Sequence, residues 1–216
     1  MKPQDYLEAA RVPRWILPQE FGLWAIERLV AGGQLTSPTE MAIHFERCGF
    51  PDYTLLRRYT LGCEIGRAGE IVMEDSAFEL RKHLPIWMAA RGRVLVTGLG
   101  LGCVVRGLLA KPEVEQIDVV EIDDDILRVV GPEFAKDPRV TLHHGDALEI
   151  DLAGRFDFAW HDLWTEGDGL HQLHVALLMR FSNRCGPQGA WAFPRFAARL
   201  ISRNTNFPLL GAPRHG

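Results

Sequence analysis

The sequence predicts an α/β fold: a doubly wound, mostly parallel sheet preceded by an extension of helices and a β-hairpin. Three observations predict it. From Gly92 onward, short apolar runs alternate with amphipathic ones, the pattern of strands joined by crossover helices. Three glycines at alternate positions, Gly98, Gly100 and Gly102, follow the first of these apolar runs. An acid, Glu121, ends the second.

The bulk composition allows this. The chain has 216 residues and 47% of them are hydrophobic, enough to bury the core of one domain with a small extension. Net charge is -4 with a pI near 6.1, and there is no basic block, so the sequence shows no nucleic-acid footprint. Cys48, Cys63, Cys103 and Cys185 are scattered and form no CxxC pair, which argues against a zinc knuckle or redox motif and for reduced thiols. The N-terminal "MKPQDYLEAARVPRW" lacks the apolar core of a signal peptide, and no apolar run reaches membrane-spanning length. These features lead us to expect a cytoplasmic protein with no membrane partner.

Taken in order, "PQEFGLWAIERLVAGG" carries apolar residues at Phe21, Trp24, Ala25, Ile26 and Leu29 before Gly32-Gly33, which predicts an amphipathic helix with a glycine stop. "TSPTEMAIHFERCGF" predicts a second helix, with Ser37 as N-cap, Pro38 in the first turn and Gly49 as terminator. Residues 53 to 75 are extended and flank a Gly/Arg-rich turn, which predicts a β-hairpin. Residues 1–75 are thus expected to form an extension and residues 76–216 the main domain. There, strands are expected in "RVLVTG", "EQIDVVEID", "RVTLHHGD", "RFDFAWHD" and "GAWAFPRF", with helices between them. The expected topology is Rossmann-like, with strand order 3-2-1-4-5. A last antiparallel hairpin is not expected, because only about twenty residues follow Phe196. That would expose a sheet edge, which a homodimer or the N-terminal helices would cover.

In an open parallel sheet, ligands bind at the C-terminal strand ends where the strand order reverses. Glycines there let main-chain N–H groups approach a ligand. The absence of G-K-[ST] excludes a P-loop, and Cys103 stands in the last glycine slot of a GxGxxG pattern begun at Gly98. Glu121 alternates with Val120 and Ile122 and can accept hydrogen bonds from both hydroxyls of a ribose, which suits NAD or an adenosyl-sulfonium. Asp123 or Asp124 is expected to cap the helix that follows. Asp146, ending the third strand, can accept from an exocyclic adenine amine, and the Ala147 N–H can meet a ring nitrogen.

Together, GxGxG, Glu121 and the Gly-Asp-Ala of "HHGDAL" resemble the S-adenosylmethionine-binding set of class I methyltransferases. More narrowly, they resemble its spermidine synthase-like branch. The match runs roughly from residue 70 to 165, through "EIVMEDSAFELRKHLPIWMAARGRVLVTGLGLG", "VVEIDDDIL", "RVTLHHGDALE" and "FDFAWHD". The apolar Val96, two residues before Gly98, also fits that branch. The resemblance implies S-adenosylmethionine as cofactor, bound by Gly98, Gly100, Gly102, Glu121, Asp146 and Ala147. Two departures stand out. Aminopropyltransferases carry an aspartate where this chain has Leu101. They also carry a D-x-x-D pair whose second member is here Thr165, the first being Asp162. A diamine would lose carboxylates it needs.

Methyl transfer from a sulfonium requires alignment of donor and acceptor and, where needed, removal of a proton. Asp162 is placed to orient or deprotonate the acceptor. His161 should point the other way. His171 and His174 share a helix face and, with Asp162, raise a metal site only as an isolated pattern, so no metal is expected. His143 and His144 face opposite sides of their strand. Trp160 and Trp164 either wall the acceptor pocket or fill the core. Glu70, Glu74 and Asp75 either close over the cofactor or are surface charges. The expected function is an S-adenosylmethionine-dependent methyltransferase with a small-molecule or macromolecular acceptor. The alternatives are an aminopropyltransferase with an altered amine site and a non-catalytic adenosyl-binding module. An NAD-linked enzyme is disfavoured by the glycine spacing.

Overall fold

The structure, a computed structural model, describes residues 1–30, 50, 52–59, 69–164 and 170–191, except the side chains of Val30, Leu170 and His171. Within it are two sheets. Strands β1 (Gln19–Phe21), β2 (Trp24–Val30), β3 (Asp52–Arg58) and β4 (Glu70–Glu74) pair antiparallel in sequence order. Strands β5 (Gly92–Thr97), β6 (Val114–Glu121), β7 (Val140–His144), β8 (Phe158–His161) and β9 (Gln188–Ala190) form a parallel sheet in the order β7-β6-β5-β8-β9. This is the expected 3-2-1-4-5 order. The order reverses at β5, which opens a crevice between the ends of β5 and β8.

The helices are α1 (Pro3–Ala10), α2 (Ala77–Leu80), α3 (Leu84–Ala89), α4 (Cys103–Leu109), α5 (Asp124–Val129), α6 (Gly131–Phe134) and α7 (Leu170–Arg180). A 3-10 turn, Arg81–His83, joins α2 to α3. Alternate residues of the parallel strands bury on opposite faces. Val94, Val96, Ile117, Val119 and Trp160 pack with Tyr6 and Leu7 of α1, Trp87 of α3 and Leu108 of α4. On the other face, Leu95, Val120 and Ala159 pack with Leu177 and Phe181. None of the described helices is long and apolar enough to cross a membrane.

One expectation is overturned. The amphipathic helix expected over 18–33 is replaced in the described part of that stretch by strands β1 and β2, with Phe21 paired to Trp24 across a two-residue turn; residues 31–33 lie outside the described residues. Gly22 in that turn has φ 56°, a value that favours glycine. The apolar spacing misleads because Trp24, Ala25 and Ile26 are all buried, so β2 shows no alternation. Its hydrogen-bond partner is β3, with Ile26 opposite Leu56, a pairing no local pattern encodes. The hairpin expected over 53–75 is present as β3 and β4, and its turn lies outside the described residues. So do the helix expected over 37–49 and the later part of the last strand.

Polar side chains tie the antiparallel sheet to the segment after α1, through Asp75, and to the end of the central sheet, through Trp24. The Asp75 carboxylate accepts from the Val12 and Thr54 N–H groups. Trp24 donates its indole N–H to Asp123 at 2.9 Å.

Candidate cofactor and acceptor site

The glycine loop follows β5, with Gly98 at φ 91°, Gly100 at φ 50° and Gly102 at φ 78°. Two of these are required by the protein's own packing. A Cβ on Gly98 would stand 2.1 Å from the Asp162 carbonyl oxygen, and one on Gly102 would stand 2.3 Å from the Phe134 ring. At Gly100 the neighbour is a side chain of the antiparallel sheet, the Met73 thioether, 2.9 Å from the Cβ position.

Glu121, at the end of β6, is only 7% exposed. One carboxylate oxygen accepts the Leu99 N–H at 2.7 Å and the other accepts the Asp123 N–H at 2.9 Å. Burial raises its pKa, and these main-chain donors work against the rise. Asp123 caps α5 by accepting the Ile126 N–H, as expected of Asp123 or Asp124. Between Glu121 and Asp123, Ile122 is 60% exposed.

These groups open onto a cleft of about 860 Å³ including its mouth. Gly98, Gly100, Glu121, Met73, Asp162, Trp164, Glu79, His83 and Trp191 are among the residues that line it. Asp162 follows β8, and its N–H continues the ladder by donating to the Thr97 carbonyl at 2.7 Å. Its Oδ2 is buried without a hydrogen-bond partner among the described residues. Burial and the Glu79 charge push its carboxyl up to about 8, against the pull of Lys82. His83 also buries an atom, Nδ1, with no hydrogen-bond partner among the described residues, and burial lowers its pKa to about 3. Glu79 accepts from Lys82 and, at 2.6 Å, from the Trp191 indole. Arg58 lies over the rings of Trp24 and Trp164.

Gly98, Gly100, Glu121 and Asp162 are thus brought to one cleft. Gly102 lies behind it as the α4 N-cap. Asp146 is exposed, and its carboxylate accepts the Leu148 N–H at 2.8 Å; Ala147 is buried in the second core. Neither lines the cleft. Leu101 is a core residue, 1% exposed.

His161 points away from the cleft, as strand alternation predicts. It bonds Thr97 at 3.0 Å and Gln188 at 3.1 Å. His143 meets Asp118, whereas His144 meets the Ile122 carbonyl. Trp160 is core and Trp164 is cleft wall. Of the acids before the main domain, Asp75 is a buried fastener, Glu74 accepts from Ser76, and Glu70 is exposed. Among the described residues no group of three or more His, Cys, Asp or Glu could hold a metal ion.

Sequence reasoning missed Met73, Glu79, His83, Ile122 and Trp191 as cleft residues. Glu79 and His83 stand four apart before a proline, a spacing that shares a helical face. Met73 and Trp191 carried no such signal.

No protein-family model matches the chain. Its curated relatives include the ribosomal RNA small subunit methyltransferase A of Pseudomonas syringae pv. tomato, 42% identical over 60 residues, covering 28% of this chain and 22% of that one. The polyamine aminopropyltransferase of Streptococcus uberis is 29% identical over 139 residues, covering 59% and 49%. Putrescine N-methyltransferase 2 of Nicotiana attenuata is 37% identical over 120 residues, covering 50% and 32%. The chain spans between about a fifth and a half of the length of these relatives. Among solved structures, the N-methyltransferase NodS of Bradyrhizobium japonicum is 14% identical with a TM-score of 0.39, covering 50% of this chain and 59% of that one. The fold assignment rests on the strand order, not on that superposition. The relatives place the chain's likeness in the class I S-adenosylmethionine-dependent methyltransferase superfamily.

Proposed function

We propose that the cleft binds S-adenosylmethionine and that the protein transfers the methyl group to an acceptor held at Asp162. The observation that carries this reading is the convergence of Gly98, Gly100, Glu121 and Asp162 on one cleft where the strand order reverses. The residues fit the cofactor. Glu121 presents a buried carboxylate suited to a vicinal diol, and exposed Ile122 beside it offers an apolar face to a ring. Asp146 would serve the adenine end by giving up the Leu148 N–H.

When bound, the sulfonium supplies an activated methyl group: its C–S bond breaks with the electron pair going to sulfur as the acceptor's lone pair forms the new bond. The chain's own task is to place the acceptor and take the proton it loses. The Asp162 carboxylate does both, since its pKa near 8 makes it a base matched to neutral or mildly alkaline pH. Residues 1–75 act as an extension that roofs the cleft through Trp24, Leu56 and Met73, and residues 76–216 as the cofactor-binding domain. The buried thiols Cys103 and Cys185 suit the cytoplasm.

Calorimetric titration with S-adenosylmethionine, S-adenosylhomocysteine, decarboxylated S-adenosylmethionine and NAD tests the reading. The first two should bind, and NAD should not. Failure of every sulfonium and thioether ligand to bind would overturn it. Preference for the decarboxylated form would replace methyl transfer with aminopropyl transfer.

A further inference from the structure

We propose that Arg58 receives the carboxylate of the cofactor's methionine tail, so that the cleft selects S-adenosylmethionine over its decarboxylated form. This rests on the cofactor reading above and adds the residue that decides between the two donors.

The starting observation is an imbalance of charge. Four acids line the cleft: Glu79, Glu121, Asp123 and Asp162. Arg58 is the only lysine or arginine among the described residues that line it. The tail of S-adenosylmethionine carries a carboxylate, an ammonium and the sulfonium. The two cations suit an acidic cleft. The carboxylate does not, because an anion taken out of water beside acids is costly unless a cation meets it.

The fold carries Arg58 to the place where the tail would lie. Arg58 stands opposite Trp24 in the β2–β3 pairing, and its guanidinium carbon is 5.5 Å from the centre of the Trp24 ring. Trp24 is anchored just past the end of β6 by its bond to Asp123. The same guanidinium carbon is 5.4 Å from the centre of the Trp164 ring. Trp164 lies just past the end of β8, and β6 and β8 flank β5 on its two sides. A group against both rings therefore reaches from the antiparallel sheet over the end of β5, where Gly98 and Gly100 line the cleft. A cofactor with its sugar at Glu121 and its methyl group toward Asp162 runs its tail across that strand end.

The side chain suits the ligand. A guanidinium meets a carboxylate through parallel N–H donors along its edge, whereas aromatic rings act on its face, so both contacts can be made at once. The decarboxylated tail keeps the ammonium and loses the one group that Arg58 would hold.

The test is calorimetric titration with S-adenosylhomocysteine, its decarboxylated analogue, and methylthioadenosine, which lacks the carboxylate and the ammonium alike. The unaltered protein should bind S-adenosylhomocysteine about ten- to a hundredfold more tightly than the decarboxylated analogue, the worth of a charged hydrogen bond. Arg58→Gln should erase that preference or turn it toward the decarboxylated analogue, since the acids then face no opposing charge. Arg58→Lys, which keeps the charge, should retain part of it. Methylthioadenosine affinity should be unchanged in both variants, which checks that the nucleoside pocket is intact. Undiminished preference in Arg58→Gln, or an equal loss of all three ligands, would overturn the role of Arg58 and leave the cofactor reading standing. Failure of the unaltered protein to bind any of the three would overturn the cofactor reading, and the role of Arg58 with it.

Discussion

The Met73 thioether accepts a hydrogen bond from the Leu101 main-chain N–H at 3.3 Å, which lays a side chain of the antiparallel sheet across the glycine loop. The same sulfur is the nearest neighbour of Gly100. The loop is therefore in contact with the antiparallel sheet as well as lining the cleft.

The first prediction concerns that contact. Met73→Leu keeps the apolar bulk and removes the acceptor. If the thioether competes with the cofactor for the loop, S-adenosylhomocysteine should bind a few-fold more tightly, corresponding to about 0.5–1 kcal/mol for a weak hydrogen bond. Calorimetry decides it; weaker binding would make Met73 part of the wall that holds the ligand.

Glu121 supports the loop as well as facing the cleft. Glu121→Ala strands the Leu99 and Asp123 N–H groups, so it should lower stability by about 1–3 kcal/mol as well as weaken adenosyl binding by about 1.5–3 kcal/mol. Urea denaturation and titration separate the two effects. Unchanged affinity would remove Glu121 from the site.

Asp162 gives a pH dependence of unusual sign. Its folded pKa lies near 8, above the unfolded value near 4, so the folded state holds the extra proton between those limits. This contribution to stability is complete below about pH 4 and is lost as pH rises through about 8. Asp162→Asn should therefore lose less stability than the unaltered protein between those pH values. It should bind S-adenosylhomocysteine with nearly unchanged affinity and abolish turnover. Turnover in the unaltered protein should rise with pH toward a plateau above about 8. A flat profile, or an active Asp162→Asn, would assign the proton to another group.

Arg106 clamps the loop from behind. It donates to the Leu101 carbonyl at 2.8 Å and pairs through two nitrogens with Glu133. Only 7% of its side chain is exposed. Arg106→Met leaves the half-buried Glu133 charge alone and should cost about 3–5 kcal/mol, whereas the double change with Glu133→Leu should recover much of it. Thermal melts of the single and double variants check this, and equal losses would show that the Leu101 carbonyl is the important partner.

The parallel sheet was legible because its signals are local and repeat. β5 carries the apolar run Val94–Val96 ahead of the glycine turn, and Gly102 follows that strand where Phe134 leaves no room for a Cβ. Asp123 could be read as a helix cap for the same reason, since its partner is three residues away. The β1–β2 hairpin was not legible, because Trp24 to Ile26 are buried on both sides by distant segments. Leu101 changed meaning. From the sequence it stood where an amine-binding aspartate would be; in the fold its side chain belongs to the core, and its main chain is held by Met73 and Arg106.

By itself the sequence determined the alternating strands and helices of the parallel sheet, the glycine loop and the acid that faces it, because periodicity and turn chemistry act over a few residues; the strand order followed from the family resemblance. Tertiary structure alone decided what surrounds the acceptor. Met73, the pair Glu79 and His83, and Trp191 come from three separate segments, and only tertiary packing brings them to the cleft with Asp162. It also decided the character of Asp162, since a carboxyl's pKa is set by the water it loses and the charges around it, neither of which is written in its neighbours along the chain.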